Sequence, residues 1–243
     1  VTHPPYHVPY RRSLLAVGVL SAGALALASL GSLLTRRAPH FYLVWNLFLA
    51  LLPLGFALLA HRALQRGGWK AAMFPAALWL LFLPNSPYIL TDFIHLTRTD
   101  PRWVWGHLLL LVWFSGAGLF AGLVSLRILH AALATRLSPL LTWVVISVVS
   151  LLTGLGVVLG RFERWNSWDA LRDPGAIVTD VLQRLNPGSL LTLQGILPWA
   201  LGAFFGLAYF TLWALGTDAA VPYSGMVSAG GSGRKNESAN PTT

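Results

Sequence analysis

The chain reads as an all-α, polytopic membrane protein, a transmembrane helical bundle of six spans, and three observations carry that reading. Apolar residues fill 55% of its 243 positions and charged residues only 10%, too few ionic side chains to coat a water-soluble surface. Every charged residue falls outside six uncharged stretches: Ser13 to Thr35, Ala38 to Ala60, Ala71 to Thr91, Trp103 to Leu126, Leu137 to Gly160 and Leu185 to Thr217. Each can cross the ~30 Å of bilayer hydrocarbon, which takes ~20 helical residues. Finally, the stretches are continuous and rich in Leu and Ala, as at Leu108 to Val112. They lack both the polar face of a soluble amphipathic helix and the alternation of a β-barrel strand.

The expected organisation is an N-terminal tail (1–12), a six-span domain (13–217) and a disordered tail (218–243) rich in Gly, Ser, Asn and Thr. The spans are expected at about 13–35, 38–60, 71–91, 103–126, 137–160 and 189–215. Tyr10-Arg11-Arg12-Ser13-Leu14-Leu15 has the look of a twin-arginine signal. The uncharged run behind it is longer than a signal core, so the expectation is a retained first span. Lys and Arg divide nine to eight between the two faces. Four of the eight sit in the longest loop, and Arg172 and Arg184 lie well beyond a span end there, so both termini are expected inside. The formal charge of +9 is scattered in small groups beside span ends, which fits anchoring at lipid phosphates and gives no nucleic-acid stripe. Membrane lipids are therefore the expected partners, with another membrane protein as a further one. The absence of cysteine excludes disulfides and thiolate chemistry.

The third span is the informative one. From Ala71 an unbroken helix reaches only Leu83 before Pro84-Asn85-Ser86-Pro87, a length of about 20 Å that falls short of the hydrocarbon thickness. A broken third helix follows, since each proline removes a donor and frees an acceptor one turn earlier. Such backbone is tolerated at depth only against protein or a wet cavity. Ser86-Pro87 reads as an N-cap and first helical position of a new short helix carrying Asp92 and His95, three apart and so on one face. With six spans, the connections after the third and fifth share a membrane face. The fifth begins Arg161-Phe162-Glu163-Arg164-Trp165-Asn166-Ser167-Trp168-Asp169. It continues through the cap pair Asp173-Pro174 into a stripe of Ile177, Val178, Val181, Leu182 and Leu185. That is the pattern of a short amphipathic helix lying in the interface, ended by Asn186-Pro187-Gly188.

Leu83 to Asp92 with His95-Leu96, and Gly160-Arg161 with Arg164 to Asp169, resemble the two hallmark segments of the domain-of-unknown-function 1361 family of bacterial polytopic membrane proteins. The resemblance covers about 41–215 and implies the architecture and a bacterial cytoplasmic membrane, with no assigned activity. Ser86 stands where alanine is the commoner family residue, and Glu163 at a variable position.

Three uses of these residues stay open. In a structural clasp, Asp92 pairs with Arg161 or Arg164 through two parallel hydrogen bonds, while Asn85, Asn166 and Ser167 satisfy the proline break and Tyr88, Trp165 and Trp168 pack or sit in the headgroup layer. In a binding site, free backbone and the two arginines recognise a lipid headgroup, an envelope component or a partner protein. In an enzyme, a hydrolase or transferase of a lipid-linked substrate, Asp92, His95 and Asp169 are the catalytic candidates, with His107 and Glu163 nearby. No metal or cofactor is expected, because Asp-x-x-His is a common accidental spacing. Transport is a further alternative, weakened because His40 and His107 are the only ionisable groups inside the expected spans.

Overall fold

A computed structural model describes residues 10–36, 41–184, 188 and 192–218. The long helices are α1 (Tyr10–Thr35), α2 (Phe41–Gln65), α3 (Trp69–Phe82), α5 (Val104–Ala134), α6 (Pro139–Phe162) and α9 (Leu193–Asp218). Between α3 and α5 lie a single turn, α4 (Asn85–Tyr88), and a 3-10 helix, Ile89–Arg98. Between α6 and α9 lie α7 (Asp169–Arg172) and α8 (Pro174–Arg184). Among the described residues six segments are long and apolar enough to cross a membrane, and the third of these runs from Trp69 to Thr97, through α3, α4 and the 3-10 helix. The protein is thus a six-span helical membrane protein. Expected details at His40, Leu185, Asn186-Pro187 and 219–243 lie outside the described residues.

α5 is the central post, packed against α1, α2, α4, the 3-10 helix, α6 and α9. Its buried face presents small residues, Ala117, Gly118, Ala121 and Gly122, between Phe114 and Leu126, so neighbouring backbones come close, as small-residue interfaces in lipid require. α6 and α9 meet in the same way. A Cβ on Gly154 would run into Pro198 O and Gly202 N, and one on Gly202 would lie 2.7 Å from Leu151 Cα. Ser138 caps α6 by accepting from Leu141 N at 3.4 Å ahead of Pro139. Asp173 likewise caps α8, accepting from Ala176 N at 3.0 Å ahead of Pro174. α8 leaves Val178 and Leu182 exposed, an apolar side suited to lie on hydrocarbon.

Two expectations about the spans need correction. The first helix opens at Tyr10, so Arg11 and Arg12 belong to its first turn. The fourth helix does not stop at Leu126: α5 runs on to Ala134, carrying Arg127 and a buried His130 beyond the uncharged stretch. A polar side chain ends a span only where it meets lipid. Here His130 Nδ1 pairs with Tyr209 OH at 2.6 Å inside a nest of Trp143 and Tyr209, and Arg127 lies over Gly216 of α9. Ionisable groups within the six apolar helical segments therefore include Asp92, Arg127, His130 and Arg161 besides His107, which weakens the compositional argument against transport.

Candidate functional site

The proline segment is wedged between α5 and α6, and glycine spaced four apart on each helix makes the room. On α5, a Cβ on Gly118 would sit 2.9 Å from Ser86 O and one on Gly122 2.5 Å from Ser86 Cβ. On α6, a Cβ on Gly156 would strike the Pro84 ring, and Gly160 faces Tyr88 at 3.4 Å. Within this slot the chain never leaves right-handed helical dihedrals: Leu83, Pro84, Tyr88 and Ile89 are all in that region. The break is one of hydrogen bonding rather than direction. Ser86 N donates to Leu83 O at 3.0 Å, a tightened turn replacing the bond that Pro87 cannot make.

Ser86 does not cap a helix. Its hydroxyl donates to Ala50 O of α2 at 3.1 Å, and the position before α4 is Pro84, which has no side-chain cap bond. Asn85 serves the break instead, donating from Nδ2 to Phe82 O at 2.9 Å and to Ser167 Oγ at 3.0 Å. The second of these bonds ties the loop after α6 to the interrupted span. The helix carrying Asp92 and His95 is a 3-10 helix, whose three-residue turn stacks positions i and i+3, and His95 Nε2 lies 3.7 Å from Asp92 Oδ1.

Asp92 is the buried centre of the site, with 2% of its side chain exposed. Arg161, 18% exposed, reaches it from the last turn of α6, with Nη1 donating to Oδ1 at 2.8 Å. The guanidinium does not grip the carboxylate with two parallel bonds. Its Nη2 donates instead to Thr91 O at 3.1 Å and to His95 Nε2 at 3.2 Å, so Arg161 clamps the 3-10 helix at three points. The contact on His95 requires Nε2 as acceptor and leaves the proton on Nδ1. Arg161 also lies 5.8 Å from the Tyr88 ring centroid, a cation–π contact. The second carboxylate oxygen accepts from Asn46 Nδ2 of α2 at 3.3 Å. Asn46 was absent from the sequence reading. A lone amide in an apolar run was the available signal, since a polar side chain at that depth needs an internal partner. Beside it, Tyr42 OH meets His107 Nε2 at 3.3 Å and the Tyr42 ring stands edge-on to His95.

The loop after α6 is organised separately. Arg164 does not reach Asp92; it is exposed and holds a left-handed φ of 59°, the position usually given to glycine at a helix end. That turn brings Trp165 N back to Leu159 O at 3.3 Å. Trp165 is more than a headgroup-layer residue, because its indole N–H donates to Asp180 Oδ2 at 2.7 Å and fastens α8 to the loop. Trp168 is exposed. Asn166 does not reach the proline break; its backbone N and Nδ2 both donate to Asp169 Oδ2, at 2.8 and 3.1 Å. Asp169 is thus engaged within its own loop, and among the described residues no three His, Asp or Glu side chains group as a metal set.

The sequence profile of the family described as "Protein of unknown function (DUF1361)" matches residues 45–199, which covers both hallmark segments, Asn46, and α5 and α6 complete. No curated protein and no solved structure matches the chain.

Proposed function

Since the chain belongs to the DUF1361 family, whose function is unknown, we propose from its own geometry that it is a non-catalytic membrane protein recognising the anionic headgroup of a membrane lipid. The observation that carries this is the closure of Asp92. An acid held by Arg161 and Asn46 and 2% exposed is a strut rather than a general base, which has to reach a substrate proton. What the same face offers outward is a half-exposed His95, an exposed Arg164 and an exposed Trp168, a cationic and aromatic set suited to phosphate at headgroup level. α8, with Val178 and Leu182 outward, supplies a platform lying in the same layer. In this reading the chain sits in the bacterial cytoplasmic membrane with both termini inside and the Asp92 face outside.

Native mass spectrometry of the purified protein tests the proposal. The wild type is expected to retain anionic phospholipid, and the double variant His95→Ala/Arg164→Gln to retain at least one molecule fewer while keeping its melting temperature. Equal retention by the two proteins would refute the reading, and co-purification of one stoichiometric membrane protein in place of lipid would turn it towards a protein partner.

A further inference from the structure

The opposite membrane face, where α1 begins and α2, α5 and α9 end, carries a second polar cluster. Arg127 stands seven residues before the end of α5, about 10 Å along its axis. α5 has 31 residues, a length of about 46 Å against ~30 Å of hydrocarbon, so with the overhang shared between its ends this arginine lies at the hydrocarbon edge, within reach of the headgroups. Its guanidinium rests on α9, with Nη2 2.9 Å from where a Gly216 Cβ would be. It lies within electrostatic reach of the Tyr10 and Tyr209 hydroxyls. Among the described residues the ion pairs are those of Asp92, and none involves Arg127.

Around Tyr10, among the described residues, two polar atoms lack a hydrogen-bond partner. The Tyr209 hydroxyl is committed to His130, but the Tyr10 hydroxyl is buried with no hydrogen-bond partner, and so is His61 Nδ1. The Tyr10 and His61 rings meet edge-on at 5.6 Å. Gln65 Nε2 donates to His61 Nε2 at 2.9 Å, which leaves the His61 proton on Nδ1, so that atom is a donor as well. A cation without an ion pair, beside a phenol O–H and an imidazole N–H without a hydrogen-bond partner, is complementary to an anion. Leaving such groups unmet at this depth is costly.

We infer that Arg127 and Tyr10, with His61 beside them, hold a phosphate group on the N-terminal face, supplied by a lipid headgroup of that leaflet. A guanidinium gives phosphate two parallel donors, and the phenol adds a third. This site shares no residue with the Asp92 face and does not depend on the function proposed for it.

The test uses the full chain in neutral detergent, carrying His95→Ala/Arg164→Gln so that the Asp92 face does not contribute. Thermal melting is followed against added phosphatidylglycerol, diacylglycerol or sodium phosphate. Phosphatidylglycerol is expected to raise the melting temperature and diacylglycerol to leave it unchanged. Arg127→Gln should raise the half-saturating phosphatidylglycerol concentration at least about tenfold, and Tyr10→Phe about threefold. Should Arg127→Gln fail to fold, Tyr10→Phe carries the test alone. An Arg127-dependent response to sodium phosphate as well would keep the anion site and make its source a free phosphate. Identical responses of the parent, Arg127→Gln and Tyr10→Phe would overturn the inference. So would Asp218→Asn, in the same last turn of α9, reproducing the melting loss of Arg127→Gln while phosphatidylglycerol has no effect on the parent.

Discussion

Replacing Arg161 by alanine is the most informative single change. It removes the 2.8 Å bond to Asp92, the bonds to Thr91 O and His95, and the cation over Tyr88. Asp92 then keeps only Asn46, at 3.3 Å, while 2% exposed. Taking one partner from a buried ion pair costs about 3–5 kcal/mol. Arg161 is 18% exposed, so part of the attraction is screened and the low end applies, about 3 kcal/mol. For a chain of this size that is a fall of roughly 6–12 °C in melting temperature. Asp92→Asn should cost less, about 1.5–3 kcal/mol, because the amide keeps the shape and the stranded arginine is the less buried partner. His95→Ala should stay within about 0.5 kcal/mol, since the side chain is half-exposed and Arg161 keeps its bonds to Asp92 and Thr91 O. Melting in lipid nanodiscs, followed by tryptophan fluorescence, measures all three. Asp92→Asn/Arg161→Ala should lose less than the sum of the singles by about 1–3 kcal/mol. If the two single variants melt within about 1 °C of wild type, or the cycle is additive, the pair is not a strut.

The packing makes further predictions. Gly154→Ala should cost about 1–3 kcal/mol in the same melting assay, since its Cβ meets Pro198 and Gly202 backbone. Gly55→Ala, with open space around it, should be neutral or stabilising by about 0.5–1 kcal/mol. Ser86→Ala should lose about 1 kcal/mol with the bond to Ala50 O, because the alanine methyl fits the same slot. Trp165→Phe should release α8, read as faster amide exchange over 174–184 with the exchange of α5 unchanged; unchanged exchange in α8 would show that the Asp180 bond does not hold it.

Much of this molecule was written in its hydropathy. The six spans, the interruption at Pro84 to Pro87, the capped surface helix from Pro174 and the meeting of two distant loops on one face follow from charge-free runs, missing donors and parity of crossings. What the reading missed has a common cause. Helix ends were placed at the first charge, yet Arg127 and His130 continue α5 because they face protein. The division of Arg161 among three acceptors, and the second bond to Asp92 from Asn46, depend on which helix faces which, and a single chain's periodicity does not encode that. The glycine rows Gly118-x-x-x-Gly122 and Gly156-x-x-x-Gly160 were visible as spacing. Only the structure shows that the proline segment fills the space between them.

The left-handed backbone at Arg164 separates two properties that most arginines combine. Glycine adopts that dihedral without steric penalty, so Arg164→Gly keeps the chain reversal that seats Trp165 while deleting the positive charge. Protein carrying this exchange should fold at least as well as its parent, and any ligand it ceases to hold would be a debt to the guanidinium alone.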